Sequence, residues 1–332
     1  VTPVAGDITT LCGDQPMVVA LADGFGGNSW RKVNRAEFED EATKCPNITD
    51  VIYTDAGGDQ QKAISDLNGL VAQGVNVIVV NADSGAALLP AIQAATEAGV
   101  SVVPSLTSPG GEVGQDYAAF IDEDRAAAGG EWASWVGEHV KEGNVVFLGG
   151  IPGNSSSQTF FEGLKTALEA YPDITLLNED APIDTNWDPA ETQRVMAGLF
   201  TKYPQIDGII SDYGGGSVGA IRAYLNANKP LVPLATLASN NELGCIWEEN
   251  GGTGTNFEVM SLDTTTTFTR NALRAAVADF QGITNPEPTL VEVPVFFDSL
   301  GGNPPKCEKD LPPDADLSSS LSSEQLQALF AE

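Results

Sequence analysis

A single histidine, His139, stands in 332 residues, and the four cysteines form no C-x-x-C pair. Zinc sites draw on clustered His and Cys, so no metal is expected, and no other cofactor. Basic residues are scarce: 16 Lys and Arg against 46 Asp and Glu give a formal net charge of −30. Such a surface repels phosphate backbones and anionic lipid, which argues against nucleic acid and membrane surfaces as partners. It also disfavours anionic ligands and leaves neutral ones as the natural class. No apolar run approaches the ~18 residues of a bilayer span, so no membrane insertion is expected.

What is present is the material of a globular protein, 42% hydrophobic and 19% charged, enough for one large domain or two ordinary ones. Cys12, Cys45, Cys245 and Cys307 permit three pairings. The local scheme, Cys12 with Cys45 and Cys245 with Cys307, is the expectation, because each bridge would tie down a segment flanking a regular element. Four buried free thiols are the alternative. Each bridge would stabilise by roughly 4 kcal/mol in the loop-entropy account. Disulfides imply an oxidising compartment. With a chain that opens on Val1 and a signal peptide absent from this sequence, a periplasmic or cell-surface location is expected.

Apolar runs and helical stretches alternate almost throughout. Strands are expected at Met17–Ala22, Val51–Thr54, Val75–Asn81 and Val100–Pro104, with helices at Arg31–Thr43, Gln60–Gln73 and Pro90–Ala98 between them. The rhythm repeats in strands at Asn144–Leu148, Ile174–Leu177, Ile206–Ser211 and Leu231–Leu234, and in helices at Ser157–Ala170, Pro189–Tyr203 and Val218–Asn228. Such alternation implies parallel sheets covered on both faces. The halves also share a spacing: Asp59 to Asp83 and Asp188 to Asp212 are both 24 residues, each running from the start of a helix to the end of the next strand. Two similar doubly wound α/β lobes are the simplest architecture. Beyond residue 255 a strand, a helix at Thr264–Gln281 and a strand at Leu290–Phe296 follow. The last stretch, 299–332, reads as a tail with one short helix, pinned by Cys307.

Two enzyme motifs overlap in Gly214–Gly219 (GGGSVG). As G-x-S-x-G it would be a nucleophile elbow, which needs a histidine after the serine, and His139 precedes it. As G-x-G-x-x-G it would cradle a dinucleotide, but no acid occurs between Asp212 and Glu242 to hold the ribose. A tight strand-to-helix turn that gives a ligand room accounts for the glycines without a cofactor. The protein is therefore expected not to be an enzyme.

At the carboxyl ends of strands, where open α/β sheets bind ligands, stand Asn28, Trp30 and Arg31, then Asp55 and Thr107, and in the second half Gln158, Trp187, Asp212, Tyr213 and Asn240. Sugars present an apolar C–H face to an aromatic plane and hydroxyls to carboxylates, amides and guanidinium groups. For each residue alone a helix cap or a core position is the plainer reading; the conjunction carries the weight.

Several stretches together resemble the type I periplasmic sugar-binding proteins, the ribose- and galactofuranose-binding family. They are MVVALADGFGGNSWRKVNRAEFEDEA (17–42), GVNVIVVNAD (74–83), AAFIDEDRAAAGGEWA (118–133), GGIPGNSSSQTFFEGLKTAL (149–168) and DGIISDYGGGSVGAIRAYL (207–225). The resemblance covers about residues 15–298. It implies two lobes joined by a three-strand hinge, with 1–121 plus 262–291 in the first lobe, 122–261 plus 292–298 in the second, and 299–332 as tail. It implies a monomer that holds a neutral sugar or polyol between the lobes and hands it to an ABC transporter permease. It places Asn28, Trp30 and Arg31 on the ligand from the first lobe, Gln158 where many relatives have arginine, Trp187 as the second aromatic wall, Asp212 or Tyr213 at a strand end, and Asn240. Many relatives carry Asp-Arg after the fourth strand, where this chain has Leu106-Thr107; Asp122 or Asp124 is expected to compensate. A receptor for a small furanose-like signal shares the fold and is the competing reading.

Overall fold

The computed structural model describes residues 6–252, 255–264 and 266–331. The valine-rich runs of the first third form an all-parallel sheet, β1 (Met17–Asp23), β2 (Ile48–Asp55), β3 (Val77–Asn81) and β4 (Ser101–Ser105), in the order β2-β1-β3-β4. The helices α1 (Ser29–Thr43), α2 (Gln60–Ala72) and α3 (Leu89–Glu97) connect them. Covered on both faces, β3 is buried along its whole length. Leu67, Leu70 and Ile92 pack on one side of the sheet and Phe38 on the other.

The second half begins with β5 (Asp122–Glu123), α4 (Arg125–His139), β6 (Gly143–Gly149), α5 (Ser155–Leu168), β7 (Ile174–Leu176), β8 (Ile183–Asp184) and α6 (Pro189–Lys202). It continues with β9 (Gly208–Ser211), α7 (Gly214–Asn226), β10 (Leu234–Leu237), α8 (Asn241–Glu249) and β11 (Val259–Leu262). After these come α9 (Phe268–Gln281), β12 (Leu290–Val291), β13 (Val295–Asp298) and α10 (Ser323–Phe330). The second sheet runs β13-β11-β10-β9-β6-β7, with β8 also on β6, and only β13 is antiparallel to its neighbour. The chain leaves the first sheet through β5, returns after β11 to lay α9 against β3 and β4, and crosses again between β12 and β13. At the crossing β5 and β12 pair in parallel.

Asp59 and Asp188, matched in spacing, both cap helices: Asp59 accepts from the Gln61 and Lys62 amides of α2, and Asp188 from Glu191 of α6. Both local disulfides are present, Cys12–Cys45 and Cys245–Cys307. Where the expected boundaries fail, proline is the cause twice. The strand expected at Leu231–Leu234 is displaced to β10, because Pro233 has no amide to donate and pairing begins at Leu234. The strand expected at Leu290–Phe296 is broken at Pro294 into β12, at the crossing, and β13, in the second sheet. The helix expected from Thr264 starts at Phe268.

Gly214–Gly219 is not a turn that makes room for a ligand. It forms the first turns of α7, and the space is filled by protein: a β-carbon on Gly219 would collide with the Pro189 carbonyl of α6, and one on Gly214 with the backbone of Ser239. Ser217 is fully buried and its hydroxyl donates to the Tyr213 carbonyl (3.0 Å).

Candidate ligand-binding site

The carboxyl ends of the two sheets face each other across a cavity of about 80 Å³. From the first sheet comes the start of α1. Asn28 caps it by accepting from the Arg31 amide (2.9 Å), which turns Trp30 and Arg31 toward the cavity. The buried Arg31 guanidinium bridges Asp23 at the end of β1 (2.9 Å) and Asp83 just beyond β3 (2.8 Å). Burial pushes Asp83 up to about 6, with Arg31 opposing and Asp23 reinforcing the shift. Burial works against the charge on Arg31 as well, but the two carboxylates hold its pKa above the ordinary value. Trp30 donates its indole N–H to the Thr264 carbonyl (3.2 Å) and belongs to the core as well as to the cavity wall.

From the second sheet comes Asp212, at the end of β9. It accepts from the Trp187 indole (3.0 Å) and from the Ser157 hydroxyl, and burial raises it to about 7. Between the sheets, at the crossing segment, sit Glu123 and Arg125. Burial, then the charge of Asp263, drives Glu123 up to about 8, and burial drives Arg125 down to about 9. Among the described residues, six other than glycine have positive φ, and of these Leu106, Trp187 and Ala238 line this cavity. Backbone strain of that kind gathers at binding sites.

The two walls touch. Phe25 and Trp187 meet edge to face with centroids 5.7 Å apart. The hydroxyls of Ser29 and Tyr213 lie 2.9 Å apart, and Ser156 donates to the Leu106 carbonyl (3.0 Å). The cleft is therefore closed. An outer groove of about 440 Å³ lies beyond this contact, lined in part by Gly27, Asn186, Glu242 and Asp314. Two larger depressions, of about 650 and 740 Å³, lie on the second lobe and beneath the tail. Neither is shared by the carboxyl ends of both sheets, where Arg31 and Arg125 are buried with their carboxylates.

Of the residues expected at the site, Asn28, Trp30, Arg31, Thr107, Trp187, Asp212 and Tyr213 are brought together around the cavity. Five are not. Asp55 accepts from the amides of Gly26 (2.9 Å) and Gly57 (2.7 Å) and fixes the loop before α1. Asp122 is spent on an ion pair with Arg125, and Asp124 caps α4 through the Ala127 amide (3.1 Å). Gln158 points outward on α5, bonded to Glu162 (2.7 Å). Asn240 caps α8 and lines the outer groove. Sequence reasoning missed Asp83, Glu123, Arg125, Phe160 and Thr264 as lining residues. The matched 24-residue spacing could have found Asp83, the counterpart of Asp212. Arg125 had a fainter signal: a cation in the first turn of a helix opposes the macrodipole and asks for a reason.

The periplasmic binding protein domain family matches residues 19–249, well over half of the chain and both walls of the cavity except Thr264. The chain belongs to that family. Members are ligand binders, and the xylitol-binding protein of Mycolicibacterium smegmatis is 28% identical over 59% of this chain and 54% of its own length. The ribose import binding protein of Bacillus subtilis is 23% identical over 59% of this chain and 62% of its own. The chain thus spans little more than half the length of the curated relatives it matches. Among solved structures, a galactofuranose-binding protein superposes with a TM-score of 0.75 at 20% identity, over 85% of this chain and 94% of that one. The Caulobacter myo-inositol-binding protein gives 0.74 at 23% identity, over 86% and 95%. This periplasmic binding protein domain has the type I fold, two α/β lobes around a cleft.

Proposed function

We propose that the protein is an extracytoplasmic solute-binding protein. It captures a neutral monosaccharide or polyol between its lobes and presents it, unaltered, to a membrane permease of the ABC transporter class. The observation that carries this reading is the charge pairing inside the cavity. Arg31 is matched by Asp23 and Asp83, and Arg125 by Asp122 and Glu123. An anionic ligand would meet no unmatched cation there, whereas hydroxyls find charged donors and acceptors with aromatic walls beside them.

The size agrees. A cavity of about 80 Å³ holds about five to eight waters, roughly 150–240 Å³ of liquid, which is the scale of a small monosaccharide or polyol. Among the described residues no helix is long and apolar enough to cross a membrane. The test is a thermal-shift screen against pentoses, hexoses and four- to six-carbon alditols. A ligand at 100 times its dissociation constant adds about 2.7 kcal/mol of stability, and mass spectrometry after hours of incubation should return it unchanged. A flat screen, or conversion of the ligand, overturns the reading.

A further inference from the structure

Among the described residues, four buried side-chain atoms on cavity-lining residues find no hydrogen-bond partner: Asp83 Oδ2, Glu123 Oε1, Arg125 Nε and Thr264 Oγ1. A buried polar atom left unmatched costs about 1–3 kcal/mol, so a cluster of them facing one space points to a partner that fills it. Their placement is uneven. Asp83 stands at a strand end, but Glu123, Arg125 and Thr264 stand where the chain passes between the sheets. The end of β4 offers no charge: it contributes Leu106 and Thr107, whose hydroxyl already lies 3.2 Å from that of Ser156.

Arg125 is held there at a cost. It is 4% exposed, sits in the first turn of α4 where the helix dipole opposes a cation, and lies over the Phe160 ring at 5.6 Å. Asp122 takes one terminal nitrogen, and the other is 3.6 Å from Glu123 Oε2, which leaves Nε–H directed at no protein atom. Burial lowers Arg125 and raises Glu123, as expected of groups that lack their full set of partners.

Resting on the solute-binding reading, we propose that Arg125 and Glu123 are specificity anchors of the ligand, each exchanging a hydrogen bond with one of its hydroxyls, so that the sugar or polyol is gripped by the crossing segment itself. Arg125 Nε–H donates to a hydroxyl oxygen, and the free Glu123 carboxyl oxygen pairs with another hydroxyl. Asp122 and Asp124, next to them in the chain, act only as counter-ion and cap.

The experiment is isothermal titration of the wild type, Arg125→Met and Glu123→Gln. The probes are the alditol or monosaccharide with the largest thermal shift and its monodeoxy analogues. Each variant should lose about 10- to 100-fold in affinity for the parent ligand, the usual worth of one hydrogen bond to a charged group. The decisive readout is discrimination. One deoxy analogue that the wild type rejects should be bound by Arg125→Met as well as the parent, and a different analogue should behave so with Glu123→Gln. A structural role would weaken all ligands alike and leave discrimination intact. Glu123→Gln keeps shape and decides the question even if Arg125→Met does not fold. Parent affinity within threefold of wild type, or unchanged discrimination, overturns this inference and leaves the proposed function standing; a wild type that binds no probe overturns both.

Discussion

Arg31 is two things at once, a candidate ligand donor and the counter-ion that allows Asp23 and Asp83 to be buried side by side. Removing it leaves two facing carboxylates unpaired, and breaking a buried pair costs about 3–5 kcal/mol. Arg31→Met is therefore expected to lower the melting temperature sharply with no ligand present, and a calorimetric scan that shows no change contradicts the pairing. Trp187 differs. It is half-buried and its indole donates to Asp212. Trp187→Ala should lose about 1–3 kcal/mol of binding, as buried aromatic anchors do, with a smaller change in ligand-free stability than Arg31→Met. Normal affinity in that variant removes Trp187 from the site. Both residues were legible in the sequence because each follows a strand end. Glu123 and Arg125 were not, since their place depends on β5 pairing with β12 from far along the chain.

At the scale of elements, the glycines of α7 show how a motif can be misread. Spacing alone suits a turn beside a ligand; the tertiary contact with α6 gives them a packing role instead. Gly219→Ala sets a methyl against the Pro189 carbonyl and cannot be relieved by a rotamer change, because the obstacle is backbone. Overpacking of this kind costs typically 1–3 kcal/mol or more. A fall in the chemical-denaturation midpoint with affinity kept in the folded fraction is expected, and an unchanged midpoint is incompatible with the close α6–α7 approach. Elsewhere periodicity found most helices and strands, but not α4, α8 or the two-residue strands β5 and β8. The displaced β10 and the divided β12–β13 were prolines acting on hydrogen-bond ladders, which apolar patterning does not record.

Over the whole molecule, the tail ties the parts together. Cys307 fixes it to α8 of the second lobe, and α10 packs on α1 of the first through Val33, Leu321 and Leu326. Ser319 and Ser320 both bond Glu37. The acid excess is not confined to the surface. Burial raises Asp83 and Asp263 to about 6, Asp212 and Asp316 to about 7 and Glu123 to about 8. Each holds in the folded state a proton that the unfolded chain releases near pH 4, so the stability it contributes is lost as pH rises through those values. Asp40 and Glu41 run the other way. Although burial opposes it, hydrogen bonds from Arg270, Lys44 and, for Glu41, Arg274 hold them low, and their contribution is lost only as pH falls below the ordinary carboxylate range. Self-repulsion from a net charge of −30 adds to the loss at higher pH. The melting temperature of the ligand-free protein should fall between pH 5 and pH 8; a rise over that window contradicts the raised carboxyls.

The sequence by itself determined the α/β class and the loops at strand ends where Asn28, Trp30, Arg31, Trp187, Asp212 and Tyr213 stand, and it left three pairings open to the four cysteines, of which the structure shows the local one. The class and the loops depend on residues within one strand–turn–helix unit. Only the tertiary structure decided that Asp55, Asp124 and Asn240 serve as loop and helix caps, that Asp83 shares Arg31 with Asp23, and that Glu123 and Arg125 face the cavity. The physical reason is that pairing and desolvation are set by distant segments: a carboxylate becomes a buried partner or an exposed cap according to what the other lobe brings against it, and no local pattern encodes that neighbour.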